Sequence, residues 1–442
     1  MLTALVMPFV TSCGDDDGSG NIKNGELISK AILPLTKDMI AGRTFTVKSY
    51  TIERGSNSSI QNGKTIRFNE DGTCEGFHSM ENAWNISEGK LSTYYKKTNE
   101  PMYVYMLISN KDNELTVRMN GTLDDDFQAT LVLVVKVKDN ESATQTTVET
   151  YWTNKDAVLS ARNACYSNCA EFEQNQLNME KVRTNPNTVH NLTPTSIEVR
   201  KTWESAYRTI TMTNYIMDNV AKFQSFFGSQ ELNNVLAEVR FIRAFVYYNI
   251  AMLWGNVPKP ITASVDVGNV NPPSQQDEVY HFVYSELNEI LNYLTQTEDK
   301  RVVSLDAGRM LMAELEMTRG NLTQARNYIS QIDMSRYVTT RSTIDGTPGT
   351  SVIWALSPEA ERHTPIYTYN QLLLYQKESS SNKTGLETEW QNSQSAEYGY
   401  WAALKRLGKA QELTNCYDYE LLMPFPYDYI LSDMTAKQNP GY

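Results

Sequence analysis

The spacing of hydrophobic positions changes once along this chain. From Asp38 to about Lys138 apolar residues recur at every second position: Phe45 and Val47, then Ile66 and Phe68, Trp84 and Ile86, and Leu91 to Tyr95. Tyr103 to Ile108, Leu115 to Met119 and Leu131 to Val137 continue the series. Gly, Asn and Asp divide these runs, as at Asn69-Glu70-Asp71-Gly72. Seven or eight short strands so divided predict an antiparallel meander closed into a small barrel or sandwich.

From Tyr151 the apolar spacing becomes three and four. Thr153 is the expected N-cap of a helix through Asn154 to Gln174. Asn185 to Pro194 reads as a loop, and Trp203, Ala206, Tyr207, Ile210 and Asn214 form the stripe of the next helix. Leu236 to Pro260 is the expected central core helix, on which the helical half of the chain should assemble. Phe241, Phe245, Tyr248 and Met252 lie on one face, and Ile242, Val246, Ile250 and Leu253 on another. A helix apolar nearly all round must be buried on several sides. Gly255 and Pro258 end it. Arg240 and Arg243, inside that apolar surround, demand carboxylate or carbonyl partners and read as structural ion-pair or capping residues.

Tyr280 to Leu294 predicts another amphipathic helix, and Ala307 to Ile329 a helix pair turning at Gly320. Small residues at Ala313, Gly320 and Ala325 let the pair cross closely, as in tetratricopeptide units. From Tyr337 periodicity fades. A last helix is expected over Glu397 to Ala410, and the Pro- and Tyr-rich end reads as an extended segment pinned by its rings.

Composition narrows the function. Fifty-two acidic residues against 40 basic ones, a formal charge of -12, argue against nucleic acid or an anionic lipid surface as partner. Beyond the amino terminus no apolar run approaches the ~18 residues needed to span a bilayer. Leu2 to Val10 is of signal-peptide length and is followed by Thr11-Ser12 and Cys13. This resembles a lipobox, with Cys13 the lipidated residue; the competing reading is an ordinary export signal with an incidental cysteine. Asp15 to Asp17 resemble the acidic signal that sends Bacteroidetes lipoproteins to the cell surface. Cys165 and Cys169 are four apart and Cys74 and Cys416 isolated, neither a disulfide framework nor a zinc pair. A Cys165–Cys169 bridge after export is the alternative to buried thiols. His78, His190, His281 and His363 are scattered, and no nucleophile elbow or phosphate loop is present. Asp124 to Asp126 read as a solvated turn rather than a calcium loop. No metal, cofactor or catalytic set is expected.

Several stretches together resemble the SusD/RagB family. They are Trp203, Tyr207, Ile210 and Asn214; the run Ala237 to Pro258; the pair Ala307 to Ile329; Tyr400, Trp401, Leu404, Arg406 and Gly408; and the end through Gly441-Tyr442. The region 38–138 resembles the small lipocalin-like domains of Bacteroidetes lipoproteins. The expected organisation is a multidomain α+β chain: a signal peptide (1–12), an acidic tether (13–37), a lipocalin-like β-domain (38–138) and a mostly α-helical SusD-like domain with tetratricopeptide-like helix pairs (147–442).

The resemblance implies a non-enzymatic outer-membrane lipoprotein, surface-exposed on its lipid anchor. It would bind a glycan or oligosaccharide and deliver it to a TonB-dependent SusC-type transporter. The alternative is a surface scaffold that binds peptide or protein. Compared with the family, loop is missing between Tyr337 and Glu397, and the β-domain is not the usual start. Sugar binding needs aromatic faces beside hydrogen-bonding side chains. In the aperiodic region Trp354, Tyr367, Tyr369, Trp390 and Tyr398 are the ligand-binding candidates.

Overall fold

The period-two region forms an antiparallel sheet of eight strands. After a turn of helix, α1 (Lys37–Ile40), come β1 (Arg43–Arg54), β2 (Thr65–Phe68), β3 (Cys74–Glu75) and β4 (Glu81–Ser87). β5 (Lys90–Tyr95), β6 (Pro101–Lys111), β7 (Glu114–Gly121) and β8 (Gln128–Val135) follow. Their order in the sheet is β3-β2-β1-β8-β7-β6-β5-β4. β1 pairs β8 with Tyr50 opposite Leu131, so the first and last strands lie side by side. The outer strands β3 and β4 meet through a Thr73–Ala83 bridge and a bond from the Trp84 amide to the Gly72 carbonyl. The result is a near-closed barrel rather than a two-sheet sandwich.

Alternation places Phe45, Val47, Ile66, Phe68, Leu107 and Leu131 inside. The Trp84 ring meets Phe68 edge-on at 5.6 Å, and its Nε1 donates to the Asn69 carbonyl at 2.9 Å. One acid, Glu81, is buried among them. Its carboxylate accepts from the His78 amide at 2.9 Å and the Tyr105 hydroxyl at 3.2 Å. A Cβ on Gly76 would stand 2.2 Å from that of Glu81, so the backbone approach that seats this acid requires glycine.

A computed structural model of the chain describes residues 35, 37–56, 59–78, 81–87, 90–95, 101–111, 114–122, 127–135, 152–263, 272–338, 350–356, 365–392, 398–432 and 436–442. Cys13 and Asp124 to Asp126 lie outside them. The chain splits into two compact units: Lys30–Ala164 with Asn219–Gly228, and Cys165–Asp218 with Ser229–Tyr442.

The helices are α2 (Lys155–Thr184), α3 (Ile197–Asp218), α4 (Val220–Phe223) and α5 (Ser229–Trp254). A two-residue strand pair, β9 (Val257–Pro258) and β10 (Pro273–Ser274), leads to α6 (Gln276–Ile290), α7 (Leu305–Thr318) and α8 (Leu322–Ser330). At the start of α2 it is Asn154 rather than Thr153 that caps, its side-chain oxygen accepting from the Ala157 amide at 2.9 Å. Helix α7 is capped by Ser304, and Gly320 turns the chain into α8 at φ +80°. A Cβ on Gly308 would come within 3 Å of the Leu291 and Leu294 side-chain ends, so an alanine there would require those leucines to shift.

α5 is the expected central helix, buried from Phe241 through Trp254. Its two arginines share one acid of α6. Arg243 donates to Glu286 Oε2 at 2.6 Å and to the Asn214 side chain at 2.9 Å, while Arg240 takes Glu286 Oε1 at 2.8 Å and Glu289 at 2.6 Å.

Between Tyr337 and Glu397 the structure differs from the expected loop. It holds a hairpin, β11 (Val352–Ala355) with β12 (Pro365–Thr368), and then α9 (Tyr369–Glu378) and α10 (Leu386–Asn392). The capping box of Thr368 and Gln371 starts α9. The expected last helix is two, α11 (Tyr400–Arg406) and α12 (Ala410–Thr414), turned at Gly408. The closing segment is also less extended than its composition suggests, with a 3-10 turn at Asp418–Leu421 and α13 (Tyr427–Ser432).

Removing Arg243 would leave Glu286 buried with one partner and Asn214 without its donor. Loss of one member of a buried pair costs about 3 kcal/mol. Arg243→Ala is therefore expected to lower Tm in differential scanning calorimetry by about 5 °C, with Arg243→Lys recovering part of the loss. An unchanged Tm would show that the pair contributes nothing.

Candidate functional site

The ring candidates named from sequence are mostly interior. Trp354, on β11, meets Phe241 and Phe245 of α5 edge-on at 5.0 and 5.2 Å. Trp390, on α10, packs on Tyr375 at 6.0 Å. Tyr367, on β12, donates to Glu314 Oε2 at 3.0 Å. Tyr398 donates to the Asn249 side chain at 3.1 Å and approaches the same Glu314 oxygen at 3.4 Å. These four are buried, so none offers an open ring face. Tyr369 is half-buried and stacks on Tyr337 at 6.4 Å.

What the structure brings together there is a polar network inside the helical unit. Arg406 of α11 grips Glu378 with two bonds, at 2.6 and 3.1 Å, and lies 3.6 Å from Glu314 Oε1. Gln176 of α2 donates to Glu180 at 2.8 Å and to Asn249 at 2.9 Å. Burial holds the Glu314 carboxyl above its ordinary range, with Arg406 pulling the other way. Burial also pushes Glu173 up to about 8 and Glu180 up to about 7, and brings Lys405 down to about 8. Perturbed groups of this kind mark catalytic sites only when a substrate can reach them. Here Glu173, Glu180 and Glu314 are enclosed, and half-buried Lys405 donates to the Met252 carbonyl.

Nucleophile and metal chemistry find no better footing. Cys74, Cys165, Cys169 and Cys416 are buried, and burial raises the Cys74 thiol to about 12. That thiol stays protonated at neutral pH. Among the described residues no three His, Cys, Asp or Glu side chains are placed to hold a metal ion, and no helix is long and apolar enough to cross a membrane.

Exposed rings gather elsewhere, where the 3-10 turn Val189–Asn191 meets the closing segment. Tyr417 is 57% exposed and Tyr419 37%. The His190 ring stacks on Tyr417 with centroids 4.6 Å apart, and Tyr417 on Tyr419 at 5.8 Å, with 22° between the planes each time. Behind them Glu420 is buried. It accepts from His190 Nδ1 and from the Tyr417 amide, each at 2.8 Å, and pairs with Arg183 at 3.0 Å. Arg183 also donates to the Tyr442 hydroxyl at 2.6 Å. Tyr427 and Leu431 on α13 and Ile197 on α3 are exposed too, with the Tyr427 amide donating to the Pro194 carbonyl at 2.8 Å. The Tyr-rich composition of this segment was the one signal in the sequence, and it does not distinguish a pin from a platform.

Residues 133–307 match a family model described as SusD-like, starch-binding, associating with the outer membrane. Over that stretch the chain is similar to the SusD-like family. Two curated relatives are a SusD-like protein of Bacteroides ovatus, 25% identical over 143 residues, and SusD-like protein P25 of Formosa agariphila, 28% identical over 142 residues. These alignments take in 29% and 31% of this chain and 26% of each relative, so the match spans about a quarter of those proteins. Among solved structures, a laminarin-binding SusD-like protein superposes with a TM-score of 0.56 over 65% of this chain and all of the other, at 13% identity. Surface glycan-binding protein A from Bacteroides fluxus gives 0.52 over 65% of this chain and all of the other, at 12%. NanU of B. fragilis gives 0.52 over 69% of this chain and all of the other, also at 12%. At such identities the likeness is one of fold.

The interior acids of this helical region carry a pH signature. Glu173 keeps its proton in the folded state up to about pH 8, whereas an ordinary glutamate releases it near 4.5. The stability tied to that proton is whole below pH ~4.5 and is lost as pH rises through 8, at ~1.4 kcal/mol per pH unit. Glu173→Gln is expected to match the wild type in denaturant melts at pH 5 and to become the more stable protein by pH 8. Parallel curves across that range would mean Glu173 titrates normally.

Proposed function

We propose that this chain is a non-enzymatic lipoprotein of the cell surface that binds a glycan or oligosaccharide and passes it to a TonB-dependent SusC-type transporter in the outer membrane. The observation that carries this reading is the match of residues 133–307 to a family model described as starch-binding and outer-membrane-associated. Laminarin-binding, surface glycan-binding and NanU proteins with the same helical fold support it. Lipidation at Cys13 would tether the chain, and the acidic residues after it would direct it outward. The perturbed acids of the helical unit lie enclosed, which favours capture over hydrolysis. A scaffold that binds peptide or protein on the same fold is the competing reading.

Native affinity electrophoresis of the soluble chain against laminarin, amylopectin, xylan and mixed oligopeptides tests the ligand class. Retardation by at least one polysaccharide, without release of reducing ends on long incubation, is the expected outcome. Retention by peptides alone would favour the scaffold, and reducing-end release would make the protein an enzyme. Cys13→Ala is expected to move the protein out of the membrane fraction; persistence there would place the anchor elsewhere.

A further inference from the structure

We propose that the ring strip His190–Tyr417–Tyr419 is a platform for consecutive sugars of a glycan chain. The proposal rests on the glycan-binding reading above and assigns it a place.

Open ring face is the first requirement, and the stacking geometry supplies it. Carbon atoms in contact lie about 3.5–4.0 Å apart. Nearly parallel rings with centroids 5.8 Å apart, as Tyr417 and Tyr419 are, must be slid past each other by about 4 Å. The rings are therefore displaced sideways from each other, and each keeps part of its face uncovered. This fits the high exposure of Tyr417 despite two ring neighbours. Pyranose C–H faces stack on such surfaces, and a stepped row suits a chain of sugars better than a single one.

Rigidity is the second requirement. A surface that is ordered before binding loses less entropy on binding. Buried Glu420 holds both His190 and the Tyr417 backbone, and buried Arg183 holds Glu420. Tyr419 is backed by Gly441, where a Cβ would stand 2.3 Å from the ring, and is met edge-on by Tyr442 at 5.1 Å. The rings are thus set from behind by a buried ion pair and a glycine.

Polar reach is the third. With Nδ1 engaged by Glu420, the other nitrogen of the half-exposed His190 ring is left for a sugar hydroxyl. Exposed Asp418 lies between the two tyrosines in sequence, and exposed Asn187 and Asn191 flank His190. Neutral amides, a carboxylate and ring faces suit hydroxyls and C–H groups. They lack the basic side chains that a phosphorylated or nucleic-acid ligand demands.

The test uses the full soluble chain with Tyr417→Ala, Tyr419→Ala and His190→Gln, titrated with whichever of laminarin, amylopectin or xylan retards the wild type. Each tyrosine variant is expected to lose about tenfold in affinity while keeping the wild-type Tm, because the replaced rings are exposed. In proton NMR the His190 ring signal, assigned by its absence in His190→Gln, is expected to shift on adding oligosaccharides cut from that polymer. Unchanged affinity in the variants with an unmoved His190 signal overturns the platform and leaves glycan binding standing at another site. A wild type that binds none of the polymers overturns both. Variants that lose transporter copurification but keep full glycan affinity would make the strip a protein contact and overturn the proposal.

Discussion

Apart from the Gly255 amide that Ala251 keeps, the last four carbonyls of α5 have no partners within their own helix, and in a buried helix water cannot serve them. Four separate segments do so instead. Gln276, at the start of α6, donates to the Ala251 carbonyl at 2.7 Å, and Lys405 of α11 to Met252 at 2.6 Å. The Met423 amide donates to Leu253 at 2.8 Å, and the Asn439 side chain to Trp254 at 3.1 Å. An unmade bond at any of these positions would cost about 1–3 kcal/mol. The end of the central helix is therefore the point at which the later half of the chain is tied into register. The Trp203 ring supports it, packed against Trp254 at 5.2 Å and Phe425 at 5.4 Å.

Charge inside this unit follows the same logic of partners already in place. Glu286 is buried because Arg240 and Arg243 both reach it, and Glu378 because Arg406 grips it with two bonds. At Glu173 burial outweighs the pull of Lys181, and the acid keeps its proton instead. Buried pairs contribute little net stability, but a mispaired arrangement is heavily penalised. They select one packing of the helices among several of similar apolar burial. The barrel does the same on a smaller scale, with Glu81 reached only through the glycine at position 76.

Much of this architecture is visible in the sequence because the relevant periods are long and clean. The alternation over β1 to β8, the all-round apolar α5 and the small-residue helix pair each extend over enough residues for spacing to decide. The hairpin and helices between Val352 and Asn392 escape because the strands are four residues long and α9 and α10 ten and seven. Too few turns exist there for a period to emerge. The same shortness hides what covers the candidate rings. Trp354, Tyr367, Trp390 and Tyr398 look like loop rings when the loop has no visible structure, yet Trp354 and Tyr398 pack on α5, Tyr367 bonds Glu314 of α7 and Trp390 packs on Tyr375 of α9. A ring's exposure depends on what packs over it, and that information lies far away in the chain, as Phe241 and Phe245 do for Trp354.

The closing segment shows how a binding surface can draw its rigidity from the core. Between Met423 and Asn439 it is held to α5 by backbone and amide bonds. Tyr442 then donates to the Leu422 carbonyl at 2.9 Å and accepts from Arg183 of α2. Those anchors set where Gly441 meets Tyr419 and where Glu420 meets Arg183. The orientation of the three outer rings thus follows from contacts made for folding rather than from a loop of its own. Such a surface has little freedom to adapt to different partners. It should discriminate by ring spacing and hydroxyl placement, the properties in which one glycan chain differs from another.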